Sequence, residues 1–303
     1  MADLNRKNPK ILIIGLGQIG YHNAEYMTQL GLNVEGYDSS REAVQRALRA
    51  RIIRKEAKTF SDYDSYLICV STHNPKNMFQ PYFDGLLDTA KRISMEGKDN
   101  SLVAIESTVT LGICDQVYDI LRHRFHVAHI PHRFYIKDKQ EHGVRQLRVL
   151  GGCRKCCIDE ALYFYRDVLR IPIHRVKSVD IAALSKVIEN AYRFLEISFV
   201  EELKLFCNAS DLDYKELHDA INSKWNIKLL EAQGGIGGHC LPKDSRMYLD
   251  LSKYALPQSV MKAAVEVDEI YKEVFAGESQ VNFEVIVPDE LVLARGNKKS
   301  LFE

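Results

Sequence analysis

Apolar residues in the first half of the chain fall in short unbroken runs separated by longer amphipathic stretches. Lys10–Ile14, Tyr66–Val70 and Leu102–Ile105 are such runs; Val127–Ile130 and Leu147–Leu150 are shorter ones, and Asn33–Asp38 reads as a further strand. Uninterrupted apolar runs of this length suit strands buried on both faces, which predicts a parallel sheet covered by helices. Between the runs lie helical patterns such as Ile19–Leu30, closed by Gly31 as a C-terminal cap. The alternation predicts an α/β fold: a doubly wound parallel sheet of Rossmann type over residues 1–176.

Beyond that point the period changes and the pattern becomes all-α. Asp180 reads as the N-cap of a long helix reaching about Cys207, with Leu184, Ile188, Ala191, Leu195 and Phe199 on one stripe. Asp213 and Glu216 stand at capping-box spacing and open a second helix. A helix beginning near Pro257 places Val260, Ala264, Val267 and Val274 together. Residues 177–276 therefore read as a helical domain. Residues 277–303 read as a tail whose one candidate element is a strand at Phe283–Val287.

Composition narrows the function classes. Lys+Arg and Asp+Glu are both 41, which gives no basic excess for nucleic acid or an anionic membrane. No run approaches the roughly 20 apolar residues of a membrane helix, and the polar, basic start MADLNRKNPK is not a signal peptide. Seven cysteines spread along 303 residues read as thiols in a reducing compartment, so the cytoplasm is the expected location. Cys153, Cys156 and Cys157 contain a CxxC, but no second Cys/His pair stands at zinc-ribbon spacing. His123, His126, His129 and His132 are three apart in a segment running into a strand, whose geometry scatters them. No metal is expected.

Gly15-Leu16-Gly17-Gln18-Ile19-Gly20 follows a predicted strand and opens a predicted helix. In that context GxGxxG is a dinucleotide fingerprint: Gly15 for the tight turn, Gly17 for backbone approach to a pyrophosphate, Gly20 for close helix–strand packing. Asp38 closes the next strand about 20 residues on, where a carboxylate holds ribose hydroxyls and repels a 2′-phosphate. The expected cofactor is NAD in preference to NADP. A second dense signal is Gly234-Gly-Ile-Gly-Gly-His-Cys240-Leu-Pro-Lys-Asp244. Pro242 suits the first turn of a helix over Ser245–Leu251, which puts Cys240 at a helix N-terminus beside Lys243, where a thiolate is stabilised. Asp244 lies four residues on. Lys186 and Asn190 are also four apart and face the same way, either solvated or turned into a site.

The order GLGQIG, Glu106-Ser-Thr108-Val, Leu184-Ser-Lys186-Val-Ile-Glu-Asn190 and GGIGGHCLPKD resembles the nucleotide-sugar 6-dehydrogenase family over about residues 10–275. The resemblance implies a Rossmann NAD domain, a central helical domain that makes a homodimer, and oxidation of a sugar CH₂OH to a carboxylate with two NAD⁺. It implies Cys240 as the nucleophile that carries a thiohemiacetal and then a thioester. It further implies Lys186 and Asn190 at the oxyanion, Asp244 on a water, and Thr108 in the water and substrate network. Val70, Ser71 and Thr72 match positions beside the cofactor. Two departures follow from the same resemblance. Pro131-His132-Arg133 stands where the family has Pro-Glu, so His132 is expected to serve as the base of the acyl step. The family's third domain has no counterpart, which leads us to expect weak binding of UDP-sugars. Two rival readings remain open: a single-step β-hydroxyacid-type dehydrogenase, which has no need of a nucleophilic cysteine, and a non-catalytic NAD-binding subunit.

Overall fold

The structure is a computed structural model and describes residues 8–74, 76–135, 138–238, 240–253 and 258–275. The expected strand at Phe283–Val287 and the helix start at Pro257 lie outside these. Two compact units divide the chain. One takes the residues up to Ala191 together with Pro242–Ser252; the other takes Tyr192–Leu241 and the described residues from Lys253 on. The first unit thus runs past residue 176, the end set by the change of sequence period, and includes the first three turns of the long helix.

Among the described residues the first unit contains nine strands in chain order: β1 (Lys10–Ile14), β2 (Asn33–Tyr37), β3 (Ser65–Ile68), β4 (His73–Asn74), β5 (Asn77–Pro81), β6 (Leu102–Ile105), β7 (His126–His129), β8 (Arg148–Gly152) and β9 (Ile173–Arg175). Seven form one sheet in the order β2-β1-β3-β6-β7-β8-β9, and β4 and β5 make a separate antiparallel pair. The first five sheet strands are parallel, as the unbroken apolar runs predict. Alternate residues feed two cores. Ile11, Ile13, Leu67, Ala104 and Ala128 pack on one face, and Leu12, Ile14, Tyr66, Ile68, Val103, Ile105 and Val127 on the other. Ile13 is fully buried, so Ile13→Ala costs about 2–5 kcal/mol.

Two strands depart from the expected parallel order: β8 runs antiparallel to β7, pairing Ala128 with Gly152, and β9, parallel to β8, runs with it. A parallel return requires a long crossover, usually a helix. Among the described residues between β7 and β8 there is none.

Helices α1 (Gln18–Gln29), α2 (Arg41–Arg49), α3 (Asp84–Glu96), α4 (Ile113–Ile120) and α5 (Lys155–Leu162) connect the strands, and α5 continues into a π-helical stretch, Tyr163–Val168. Gly31 follows α1 at φ 77°, as a C-terminal cap requires. The long helix α6 covers Val179–Ser210. Its N-cap is Ser178, whose Oγ accepts from the Asp180 N–H at 3.1 Å; Asp180 instead accepts from the Gly112 N–H and ties the helix start to the loop before α4.

The second unit is helical. It contains the rest of α6, α7 (Tyr214–Asn222) and α9 (Val260–Phe275), while α8 (Cys240–Ser252) lies almost wholly in the first unit. Asp213 caps α7 as predicted, Oδ1 accepting from Glu216 N–H at 2.8 Å. Between α7 and α8 the glycine loop is tied to α9. The Ile236 N–H donates to Asp268 Oδ1 at 2.8 Å, Lys272 Nζ donates to Ile236 O at 2.9 Å, and Tyr271 OH donates to Gln233 O at 2.6 Å. Gly235 has φ 91°, and a Cβ there would lie 2.6 Å from Lys272 Cγ, so the loop admits no side chain at that point.

Candidate functional site

The β1–α1 turn is built on two close approaches. Gly15 has φ 93°, and a Cβ on it would stand 2.6 Å from the Cys69 carbonyl oxygen; a Cβ on Gly20 would collide with Gly15 O. Above Gly17 there is nothing within 4 Å, so the helix start is open on the side a ligand would use. Gly17 is the N-cap of α1, which begins at Gln18 and Ile19 and has neither a side-chain cap nor an acidic residue in its first turn. The N-terminal N–H groups of such a helix favour an anion.

The turn opens into a cleft of about 510 Å³ lined by Ile14, Gly15, Gly17, Asp38, Val70 and Ser71 among others. Of the sequence-derived cofactor positions, Gly15, Gly17, Asp38, Val70 and Ser71 line it. Asp38 stands just beyond β2 with Oδ2 accepting from the Leu16 N–H at 2.6 Å and Oδ1 from the Ser40 N–H at 2.7 Å. Thr72 is buried, its hydroxyl donating to the Thr108 carbonyl oxygen at 2.8 Å, which joins the β3 loop to the β6 loop. The open Gly17, the uncapped helix start and the acidic lip together fit a dinucleotide. Sequence reasoning missed the opposite wall. Arg92 of α3 lies 3.9 Å from the Phe60 ring centroid and 4.9 Å from that of Tyr37, all three lining the cleft. No local motif marks them, because α3 reaches the cleft only through the fold.

A second constellation lies on α6 and α8. Lys186 Nζ donates to Asn190 Oδ1 at 3.5 Å, Asn190 Nδ2 donates to Asp244 Oδ2, and Lys243 Nζ is 3.0 Å from Asp244 Oδ1. Lys243 and Asp244 are buried, and Lys186 and Asn190 half-buried. Of the two orientations open to the Lys–Asn pair, the structure favours the one turned into a polar site. Cys240 is exposed and opens α8, with Pro242 in the first turn as predicted and no acidic residue there to offset the helix dipole.

His132 is placed differently from the expectation. It is buried, with the Phe134 N–H donating to Nδ1 at 3.1 Å, which leaves the ring proton on Nε2, 3.2 Å from Asn23 Oδ1 and 2.6 Å from Arg148 Nη2. Its pKa lies well below the usual histidine value because burial, and then the Arg148 and Lys186 cations, disfavour the imidazolium. Its one acceptor nitrogen is engaged from within the protein, which does not suit a base acting on substrate. The same network holds Glu106, with Arg148 Nη1 3.1 Å from Oε2 and the Tyr165 hydroxyl donating to Oε1 at 2.6 Å. Arg148 and Tyr165 are fully buried, and Asn23 of α1 bonds both Glu106 and Arg148. This buried ion pair ties α1, the β6 and β7 loops and β8 together.

Residues 180–270 match the central domain of the UDP-glucose/GDP-mannose dehydrogenase family. The UDP-N-acetyl-D-mannosamine dehydrogenase of Methanococcus vannielii is 25% identical over 264 residues, covering 79% of this chain and 61% of the relative. The chain thus spans about three fifths of that relative's length. Among solved structures, UDP-D-ManNAc dehydrogenase from Pyrococcus horikoshii shares the fold with a TM-score of 0.75 at 24% identity, over 88% of this chain and 70% of that one. The 3-hydroxyisobutyrate dehydrogenase of Mycobacterium tuberculosis shares it with a TM-score of 0.66 at 15% identity, over 89% of this chain and 94% of that one.

Proposed function

From the match of residues 180–270 to the central domain of the UDP-glucose/GDP-mannose dehydrogenase family, we propose that the chain oxidises the CH₂OH of a nucleotide sugar. The cofactor is NAD, held by Gly15, Gly17, Gln18, Ile19, Gly20, Asp38, Val70, Ser71 and Thr72; when bound it supplies the hydride acceptor. The observation that carries the reading is the hydrogen-bonded chain Lys186–Asn190–Asp244, a cation, an amide and a carboxylate joined at the helix that Cys240 opens.

Each residue then has a defined task. The Cys240 thiolate adds to the aldehyde carbon, forming a C–S bond while the carbonyl oxygen becomes an oxyanion. Lys186 and the Asn190 amide stabilise that oxyanion. After the second oxidation, water adds to the thioester, the C–S bond breaks, and carboxylate and thiol are released. Asp244 orients this water and takes its proton. Thr108 holds the water and substrate network, and His132 acts only by bracing the buried ion pair beneath it. Asp244 thereby takes the place given to His132 by sequence.

The same reading includes a homodimer made by the helical part of the chain. Ile181, Ile188, Tyr192, Phe199 and Phe206 are exposed and fall at spacings of seven, four, seven and seven along α6, one apolar stripe on a helix of 32 residues. A second copy would cover it, and light scattering of the wild type and of Phe199→Glu tests this: the variant should shift to monomer.

One alternative is favoured by a specific observation, the near-complete overlap with a hydroxyacid dehydrogenase fold. It predicts one NADH per substrate and an indifferent Cys240. Our reading predicts two NADH per UDP-N-acetylmannosamine and turnover abolished in Cys240→Ala. One NADH per substrate with a stable carbonyl product would refute it.

A further inference from the structure

The fold brings together three metal-binding side chains that the sequence keeps apart. Cys156 and Cys157 occupy the first turn of α5, and His126 is the first residue of β7, against which α5 packs. One ligand atom from each of the three residues lies within 4.8 Å of the others. Cys156 is exposed, His126 half-buried and Cys157 buried, so the cluster sits at the protein edge with one side toward solvent. None of these residues belongs to the cofactor cleft or to the Lys186–Asn190–Asp244 chain.

We propose that His126, Cys156 and Cys157 bind a thiophilic divalent cation, zinc by preference, with the fourth position open to water. Zinc takes thiolates at about 2.3 Å and imidazole nitrogen at about 2.0–2.1 Å, which puts tetrahedral ligands roughly 3.6–3.8 Å apart. The donors therefore close by about 1 Å at most, within reach of side-chain rotation. Two features beyond proximity bear on thiolate at this place. Burial holds the Cys157 thiol above its usual pKa, while the backbone N–H groups of Val127 and Arg154 pull it the other way. The first turn of α5 also carries no acidic residue, so its dipole favours negative sulfur. Two thiolates neutralise the dication, and binding releases two protons. The cation would fasten the start of β7 to the start of α5.

The test uses the full chain carrying Cys240→Ser, so that the exposed thiol of α8 does not compete, kept reduced and titrated with Co²⁺ and then Zn²⁺. The expected result is one cobalt per chain with a thiolate-to-metal charge-transfer band and tetrahedral d–d absorption, both displaced by zinc. Cys156→Ser and His126→Gln should each weaken cobalt binding at least tenfold while circular dichroism and NAD⁺ binding stay unchanged; both positions are accessible enough for the fold to survive. Absence of the charge-transfer band in the parent, or cobalt affinity in both variants equal to the parent's, would overturn the proposal.

Discussion

Glu201 gives the sharpest physical prediction. It lies in the second unit on α6, fully buried, with neither carboxylate oxygen hydrogen-bonded among the described residues. Burial, and then the negative charge of Asp268, push its pKa from 4.5 up to about 7, against a smaller opposing pull from Lys272. Between pH 4.5 and 7 the folded protein therefore holds a proton that the unfolded chain has released. Stability contributed by this group is complete below pH 4.5 and is lost as pH rises through about 7. At 1.36 kcal/mol per pH unit the loss is up to about 3 kcal/mol by pH 8. Glu201→Gln keeps the shape and removes the titration, so it should cost little at pH 5 and leave the variant more stable than wild type by about 2–3 kcal/mol at pH 8. Urea unfolding followed by far-UV circular dichroism at a series of pH values reads this difference directly. Wild-type and variant curves that stay parallel from pH 5 to 8 would show that Glu201 is not desolvated as the structure has it.

Four further outcomes are expected. Asp38→Ala should weaken NAD⁺ about 10- to 100-fold, the loss of charge-assisted hydrogen bonds, and narrow the preference over NADP⁺, read by calorimetry with each cofactor. Lys186→Met should lower kcat about 10²–10³-fold with NAD⁺ affinity intact; an unchanged kcat would remove Lys186 from the oxyanion site. Arg148→Met strands the Glu106 charge in the core and should cost about 3–5 kcal/mol in chemical unfolding, against little for an exposed residue such as Arg49. Gly15→Ala forces a Cβ into the Cys69 carbonyl and should lower Tm and abolish NAD⁺ binding together; a variant that binds normally would show that the turn can open.

Much of the first unit was legible because its signals are local. Unbroken apolar runs gave β1, β3, β6 and β7 to within two residues, and GxGxxG after a strand located the cleft. Orientation was not legible for β8. Its apolar core looks like the parallel strands, and the connection before it, with no helix among its described residues, is what accompanies the reversal. Buried Arg148 inside that strand was missed for a related reason, since its partner Glu106 is 42 residues away in sequence and pairs with it only after folding. Residue type alone points to Asp180 as the cap, but Ser178 lies two positions earlier and takes the bond. The spacing of Lys186, Asn190 and Asp244 was readable along each helix, whereas their mutual hydrogen bonds depend on α8 meeting α6. His132 shows the limit most clearly: its identity suggested a titrating base, and Arg148 and burial decide otherwise.

Asp38 carries one last consequence. Its two oxygens brace the Leu16 and Ser40 N–H groups, so the residue that would select the coenzyme is also the knot between the glycine turn and the start of the next helix. Changing coenzyme preference by a single exchange at this position would loosen the turn that any dinucleotide needs. A switch toward NADP⁺ is reachable here only by first supplying another acceptor for the Leu16 N–H, so the order in which substitutions arrive matters as much as their identity.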